Sequence, residues 1–579
     1  MNMHSLAQRI APAQKTSRHL ILEQFLADGM RYMFGNPGTV EQGFLDALWE
    51  YPELKYVLSL HESVAVMMAD GYARCTHKPT LVQIHSTPGL GNAIGALYQA
   101  MRGHSPLVVI GGDAGVKYQA MDAQMAGDLV AMAKPVTKWS TMVMDSSSVL
   151  RVLRRAAKIA GTPPMGPVYV CLPMDILDEP GAEDVHATPL PSTRVVAERD
   201  QIREAAKMLA GASHPMIFVG DGIAYSDAQE ELARLAEMLG AEVWEADAGE
   251  VNMSYSHPLY QGMTGHMFGY SSLPTTRKGD VNLVCGTYML PEVFPELGNI
   301  FAAGAKVIHI DLNVYEIGKN HHVDLGLLGD PKLSLAALAA ELEMLQGPDS
   351  KRAAKTRLEQ LANQRKAKRD SEFERDKKER DAVPVHMARF MEDLAPQLPD
   401  DAIVFDEALT NSPPVARYFA PKKGGQYFLT RGGSLGVGIP GAMGAKLANP
   451  GKTVFGFTGD GGSMYTIQAL WTAARHNIGA KFVVCNNHSY RLLQLNVAAY
   501  WKERGIAQHQ FPLSFDLSKP ELQFVGMAQA MGVPGMRVEK PEQIKPAIRE
   551  ALATEGPYLI ELVLEGDVRP DLIGVRCGQ

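Results

Sequence analysis

The chain has 579 residues, too many for one hydrophobic core, so three or four domains of roughly 150 residues are expected. Its composition, 46% hydrophobic and 21% charged with a net charge of −8, suits a soluble globular protein and gives no basic footprint for nucleic acid. No apolar run approaches the roughly 20 residues of a membrane span, and the five scattered cysteines lack any CxxC pair, which argues against a disulfide framework and structural zinc.

The cysteines read as small buried residues of a protein in a reducing cytoplasm. The first 22 residues lack acidic groups and carry Arg9, Lys15 and Arg18. They read as an N-terminal tail, with a weak targeting leader as the alternative. Beyond them, apolar runs of five to seven residues alternate with helix-period segments, the pattern of parallel sheets covered on both faces. The expected fold is α/β, with three doubly wound parallel-sheet domains.

The first domain is expected over residues 16–188, with strands at 56–60, 80–84, 107–111 and 167–172 and a helix at 63–74. Glu62 falls at a strand-to-helix junction. A carboxylate at the mouth of a parallel strand, with an apolar helix face behind it, should be poorly solvated and so suited to sharing a proton with a ring nitrogen. Standing alone, it would more often be a first-turn acid serving the helix dipole. His85 follows strand 80–84 and precedes a Gly-rich turn; it is a candidate for proton transfer, although a lone histidine after a strand is more often structural.

The second domain is expected over 192–345, with strands at 215–219, 281–285 and 306–310. Its FVGDGIAYSDA (218–228) and VIHIDLN (307–313) segments contain one Gly-Asp-Gly and a strand-end Asp311, which is weak support for a nucleotide. A purely structural domain is the reading. The charge-dense stretch at 351–381 predicts a solvated linker helix within 346–382. The third domain, 383–565, has strands at 402–405, 453–458 and 481–485, and a tail at 566–579 follows that could fold over the site as a lid.

The third domain carries the most specific signal. VFGFT ends at Gly459-Asp460-Gly461, residues 465–477 have helical spacing with Ile467, Leu470 and Trp471 on one face, and KFVVC ends at Asn486-Asn487. A right-handed crossover of this length sets two parallel strands side by side or nearly so, with their C-terminal ends at one edge. Asp460 and Asn487 then meet in the crevice where open α/β sheets bind ligands. A carboxylate, an amide oxygen and a backbone carbonyl are hard ligands suited to Mg²⁺, or Ca²⁺ in its place, shared with a diphosphate. Gly461 and Gly462 let the backbone approach that diphosphate, and the following helix N-terminus favours its charge. Either tip alone is weak; joined by the 24 residues 462–485, the pair is strong.

That spacing, and the string GDGGSMYTIQALWTAARHNIGAKFVVCNNHSY, resemble the thiamine-diphosphate motif of benzoylformate decarboxylase and its relatives. The resemblance implies thiamine diphosphate as cofactor, with Asp460, Asn487 and the Ser489 carbonyl on the metal. Gly459, Gly461, Gly462, Ser463 and Tyr490 would lie along the diphosphate. TRGGSLGVGIPGAMGAK (430–446) resembles the cofactor-wedging segment, so Leu435 would hold the bent cofactor and the Gly433 carbonyl would accept from the pyrimidine amino group. Glu62 would bind the pyrimidine and drive ylid formation, with Asn92 supporting the cofactor or the turn. GNPGT (35–39) resembles a substrate-contacting turn, which makes Thr39 a catalytic candidate beside His85. In this family the pyrimidine and diphosphate ends of one cofactor are bound by different subunits; a homodimer is implied, and tetramers are common among relatives.

Thr39, His85, Met464, Leu492, Leu493 and Asn496 are the candidate substrate-pocket residues, although Leu492, Leu493 and Asn496 at helical spacing could equally form a core face. A mainly apolar pocket suits an aryl or medium alkyl 2-oxo acid. The resemblance thins in the middle: CGTYMLPEVFPEL (285–297) has Met289 and Leu290 where benzoylformate decarboxylase has a second active-site histidine, and Gly103-His104-Ser105 is the nearest approach to the paired histidines of pyruvate decarboxylases. In some relatives the central domain binds FAD or ADP. The expected activity is non-oxidative decarboxylation of a 2-oxo acid through an enamine, with carboligation to an aldehyde acceptor as a side activity. The rivals are a carbon–carbon ligase or lyase of the acetolactate synthase or 2-hydroxyacyl-CoA lyase kind, and a non-catalytic nucleotide-binding or regulatory homologue.

Overall fold

The computed structural model describes residues 15–265 and 268–568. These form two compact units, one of residues 15–73 and 77–191 and the other of residues 74–76 and 192–568. Residues 1–14 with Arg9, the tail at 569–579 with its suggested lid role, and Cys577 lie outside the described residues. Of the first 22 residues, Ser17 onward is not tail: Ser17–Ala27 is a helix that buries Ile21, Leu22 and Phe25.

The first unit holds one six-stranded parallel sheet made of β1 (Tyr32–Gly35), β2 (Lys55–Leu58), β3 (Thr80–Ile84), β4 (Leu107–Asp113), β5 (Trp139–Met142) and β6 (Val168–Pro173). Their order is β2-β1-β3-β4-β6-β5. β3, β4 and β6 are buried along their whole length, as continuous apolar runs must be when helices cover both faces.

The second unit holds two more parallel sheets. The central one comprises β7 (Pro215–Val219), β8 (Glu242–Glu245), β9 (Tyr260–Met263), β10 (Val281–Cys285), β11 (Lys306–Asp311) and β12 (Leu325–Leu328), in the order β12-β11-β10-β7-β8-β9. The last comprises β13 (Ile403–Glu407), β14 (Tyr427–Leu429), β15 (Val454–Gly459), β16 (Lys481–Asn486), β17 (Gly535–Val538) and β18 (Tyr558–Val563), in the order β14-β13-β15-β16-β18-β17. This repeats the winding of the first sheet, and the α/β class with three doubly wound parallel sheets is the fold the chain adopts. A 31-residue helix, Pro348–Lys378, runs between the two sheets of this unit. Among the described residues no helix is long and apolar enough to cross a membrane.

Local boundaries depart from the sequence reading in two places that matter. The strand expected at 56–60 ends at Leu58, and the following helix, Glu62–Thr76, begins on Glu62 itself. The helix expected over 465–477 is confined to Ala469–Arg475, with turns at 464–468 separating it from a short helical turn at Asp460–Ser463. Thr466 donates its hydroxyl to the Gly436 carbonyl at 2.6 Å, tying this turn to the Gly-rich segment instead of continuing a helix. Ala469, Leu470, Thr472 and Ala473 form the buried side, while Ile467 and Trp471 are only half-buried.

Read from its other edge, the central sheet has the order 3-2-1-4-5-6, whose switch point between β7 and β10 is where such folds bind dinucleotides. Here the two loops at that point touch. Gly222 N–H donates to the Gly286 carbonyl at 3.0 Å, and a Cβ on Gly222 would stand 2.5 Å from the Gly286 Cα. Asp221 of the Gly-Asp-Gly accepts from the backbone N–H groups of Gly249 and Glu250, at 2.8 and 2.9 Å. Asp311 is likewise engaged locally, accepting from Asn313 N–H at 2.6 Å, and burial pushes its carboxyl up to about 7.

Candidate active site

In the second unit β15 and β16 are parallel neighbours, with Gly459 opposite Cys485, so the residues just past their ends share one edge. Asp460 reaches across that edge. One of its oxygens accepts from Gly461 N–H at 2.8 Å; the other accepts from Asn487 N–H at 3.1 Å and Ser489 N–H at 3.2 Å. The Asn487 amide oxygen accepts from the same Ser489 N–H at 3.1 Å, so the two side-chain oxygens converge on one nitrogen. His488, between them, has a φ of 58°, which turns the loop back on itself at some conformational cost for a non-glycine residue.

Asp460 is buried, and burial pushes its carboxyl up to about 6, partly offset by the three N–H donors. A desolvated carboxylate of this kind, adjoined by an amide oxygen, fits a divalent cation. Among the described residues no group of three or more His, Cys, Asp and Glu side chains could hold a metal, so the candidate set depends on the amide and on the Ser489 carbonyl.

Gly459, Gly433 and Leu435 border the same edge. A Cβ on Gly459 or Gly433 would meet nothing within 4 Å, which leaves the backbone there open to a ligand, whereas one on Gly461 would strike the Tyr490 ring at 2.3 Å. Gly462 is buried in the first turn. The Ser463 hydroxyl donates to the Asp460 carbonyl at 2.8 Å, so it caps its own turn. The segment holding Gly433 and Leu435 is fastened by Glu407, at the end of β13. Its buried carboxylate accepts from Gly436 N–H at 2.5 Å, Gly438 N–H at 2.7 Å and the Thr458 hydroxyl at 3.1 Å. Burial pushes this carboxyl up to about 7 against those donors. The sequence reading missed Glu407; the two acids Asp406 and Glu407 closing an apolar strand were the available signal.

The first unit gathers a second cluster at the C-terminal edge of β1, β3 and β4. Glu62 is buried, with one oxygen accepting from the Asn36 amide at 3.1 Å and the other from the Asn92 amide at 3.0 Å. Gly89 makes room for it, since a Cβ there would stand 3.0 Å from a Glu62 oxygen. His85 Nδ1 meets the Glu41 carboxylate at 3.1 Å, and Glu41 also accepts from Gly112 N–H at 3.1 Å. Burial raises the Glu41 carboxyl, and the charge of His85 opposes that rise. Gly38 packs on the His85 ring so closely that a Cβ would overlap it, which places the exposed Thr39 on the same turn as the imidazole. Asn36 and Glu41 were not singled out from the sequence, although both belong to the run GNPGTVE, part of which was.

The remaining pocket candidates are Met464, Leu492, Leu493 and Asn496. Met464 and Leu493 are exposed, Leu492 and Asn496 half-buried. The core side of helix Arg491–Arg504 is formed by Leu495, Ala498 and Trp501, so the three helix candidates are not its core face. Met289 and Leu290 are buried in the core of the central sheet with Met216 and Phe218.

Family models of the thiamine pyrophosphate enzymes match the chain in three places. These are the N-terminal TPP binding domain at residues 15–132, the central domain at 202–338 and the C-terminal TPP binding domain at 410–562. The chain is 30% identical to a probable acetolactate synthase large subunit of Methanococcus aeolicus, over 93% of this chain and 90% of that protein. It is 29% identical to benzoylformate decarboxylase of Pseudomonas aeruginosa, over 95% of this chain and 98% of that one. Among solved structures it is similar to the thiamine diphosphate-dependent 4-hydroxybenzoylformate decarboxylase of Rhodococcus jostii RHA1. That match has a TM-score of 0.81 and 27% identity, covering 96% of this chain and all of that one.

Two tests follow from these clusters. Glu41→Gln keeps the shape but removes the charge facing His85. Turnover should fall about 10–100-fold with a displaced pH profile, while cofactor affinity stays unchanged; an unaltered profile would leave Glu41 a purely structural group. Because a cation needs the ionised form of Asp460, Mg²⁺ titrations of the cofactor-free protein should show affinity constant above the carboxyl's value of about 6 and falling as pH drops below it, by about tenfold per unit. Asp460→Asn should bind weakly at every pH, with that dependence gone.

Proposed function

The chain belongs to the thiamine-pyrophosphate-dependent enzymes that include 2-oxo acid decarboxylases and acetolactate synthases, and on that premise we propose that it decarboxylates a benzoylformate-like 2-oxo acid non-oxidatively. Carboligation to an aldehyde acceptor is the accompanying side activity. The observation that carries this reading is the pair of intact clusters: Asp460 with Asn487 and Ser489 at one sheet edge, and Glu62 held by two amides at another.

Asp460, the Asn487 amide and the Ser489 carbonyl would hold Mg²⁺, with Ca²⁺ able to substitute. The backbone from Gly459 to Ser463 and the Tyr490 ring would flank the diphosphate. Leu435 and the Gly433 carbonyl would set the conformation and the amino group of the pyrimidine. Thiamine diphosphate, when bound, supplies a carbanion equivalent at its thiazolium ring and an electron sink for loss of CO₂.

The chain's own residues bind, orient and move protons. Glu62, with both oxygens fixed by Asn36 and Asn92, holds a proton in one direction toward the pyrimidine nitrogen. His85 has Nδ1 engaged by Glu41, which leaves Nε2 to exchange a proton with the substrate or product oxygen. Thr39 offers its hydroxyl to the substrate carboxylate. The two clusters belong to different compact units, and following the family arrangement they complete one site across a subunit contact, so a homodimer is the smallest active form.

One observation favours a second reading, a carbon–carbon ligase or lyase. The central segment 285–297 has no histidine to finish protonation of the product, and the methionine and leucine in its place are buried.

Incubation with benzoylformate, and separately with pyruvate and an added aldehyde, distinguishes the readings. Free aldehyde as the main product, lost on removal of metal and thiamine diphosphate, is expected. Abundant 2-hydroxy ketone with little free aldehyde would replace decarboxylation by ligation. Activity indifferent to both cofactors, or never present, would make the chain a non-catalytic relative. Glu62→Gln should retain cofactor affinity while slowing hydrogen–deuterium exchange at thiazolium C2 by about 100-fold or more; normal exchange would remove Glu62 from its role.

A further inference from the structure

The helix Pro348–Lys378 is not solvated on every side. Arg365, Lys368, Arg369 and Glu372 recur at spacings of three and four, which puts them on one helical face. That face borders a cavity of about 370 Å³, closed opposite by the edge strand β9, the Trp244 ring of β8 and the hydroxyls of Ser271 and Thr275. Tyr255 and Tyr260, stacked with ring centres 4.5 Å apart, contribute apolar wall. The volume is in the range of small-molecule sites.

The charges on this face are arranged unlike those on the rest of the helix. Elsewhere, cations pair along the helix with acids three or four residues away, as in Lys355–Glu359, Lys366–Asp370 and Lys377–Glu374. On the cavity side, Arg365 donates to the Tyr255 carbonyl at 2.6 Å and lies over the Tyr260 ring, and among the described residues Lys368 and Arg369 make no ion pair. Arg417, at the cavity's end, is already matched by Asp376 at 2.7 Å. Three helix cations therefore face the space, with Glu372 as the single helix acid that lines it. Like charges at i, i+4 on a helix repel by roughly 0.2–0.5 kcal/mol. Arg365 is held by the Tyr255 carbonyl and the Tyr260 ring, and Arg369 lies over the Phe373 ring at 5.4 Å, but neither contact supplies a counter-charge.

We propose that this cavity binds a small organic phosphate. The guanidinium of Arg369 and the ammonium of Lys368 would meet the phosphate oxygens. The Thr275 hydroxyl would add a neutral donor, and Trp244 with the tyrosines would cover the organic part. None of these side chains belongs to the Asp460 or Glu62 clusters, so the site does not depend on which reaction the enzyme performs.

The test is isothermal titration of the full-length holoenzyme, saturated with thiamine diphosphate and Mg²⁺ so that phosphate cannot enter the cofactor site. Glucose 6-phosphate, fructose 1,6-bisphosphate and citrate are the probes. Saturable binding of a sugar phosphate is expected, weakening with added salt. The K368A/R369A double variant should weaken it about tenfold or more, and E372Q should tighten it severalfold. Both variants change half-exposed or exposed groups, so unchanged melting temperatures are expected and would certify intact folding. Absence of binding by all three probes at millimolar concentration overturns the proposal. Binding that the double variant leaves untouched places the ligand elsewhere and overturns it equally, and binding of citrate alone overturns the phosphate assignment.

Discussion

One carboxylate sets the geometry of the edge shared by β15 and β16. Asp460 spans from the end of β15 to the loop after β16, taking three backbone N–H groups from both sides. Those bonds bring the Asn487 oxygen and the Asp460 oxygen to the same nitrogen, and they hold His488 in a left-handed conformation that an unconstrained chain would avoid. Everything else at this edge is arranged around that crossing: glycines where the backbone comes close, a tyrosine ring against Gly461, and a second buried acid, Glu407, fastening the Gly-rich turn alongside. A buried acid fed only by neutral donors is poorly compensated as an anion, which is why burial raises its carboxyl despite three N–H groups.

The outer two sheets share the winding 2-1-3-4-6-5, and both carry their polar clusters beside the strands where that order reverses. In the first sheet these are the ends of β1 and β3, giving Asn36 and His85; in the last they are the ends of β13 and β15, giving Glu407 and Asp460. The same winding thus presents an acid supported by side-chain amides in one case and an acid supported by backbone N–H groups in the other. The central sheet has its own reversal, between β7 and β10, and closes it with Gly222 against Gly286.

Where periodicity and side-chain chemistry coincided, the sequence was readable. Fully buried strands such as β3, β7 and β10 were located to the residue, because a strand covered on both faces reads as a mainly apolar run, even with Gln83 or Asn282 inside it. Asp460 and Asn487 were legible because two weak tips gain meaning from the crossover between them. Short strands such as β1 and β5, four residues each, gave too little pattern to notice. The 465–477 segment misled because its helical spacing was real but Thr466 found a better partner in the Gly436 carbonyl. Asn36, Glu41 and Glu407 escaped for another reason: their importance lies in partners 26 to 71 residues away in sequence, and no local pattern announces such contacts.

Arg431, at the entrance to the Gly-rich turn, is buried and pairs with Asp247 at 2.9 Å and Asp221 at 3.7 Å, both from the central sheet's loops. The adjoining Leu429 N–H also donates to the Gly249 carbonyl at 2.8 Å. A domain whose own crevice is shut therefore serves as the abutment for the neighbouring domain's glycine turn. Its aspartates are constrained by a guanidinium they do not share a sheet with, so losing either would leave a buried charge under-compensated and disturb a turn roughly 200 residues further along the chain.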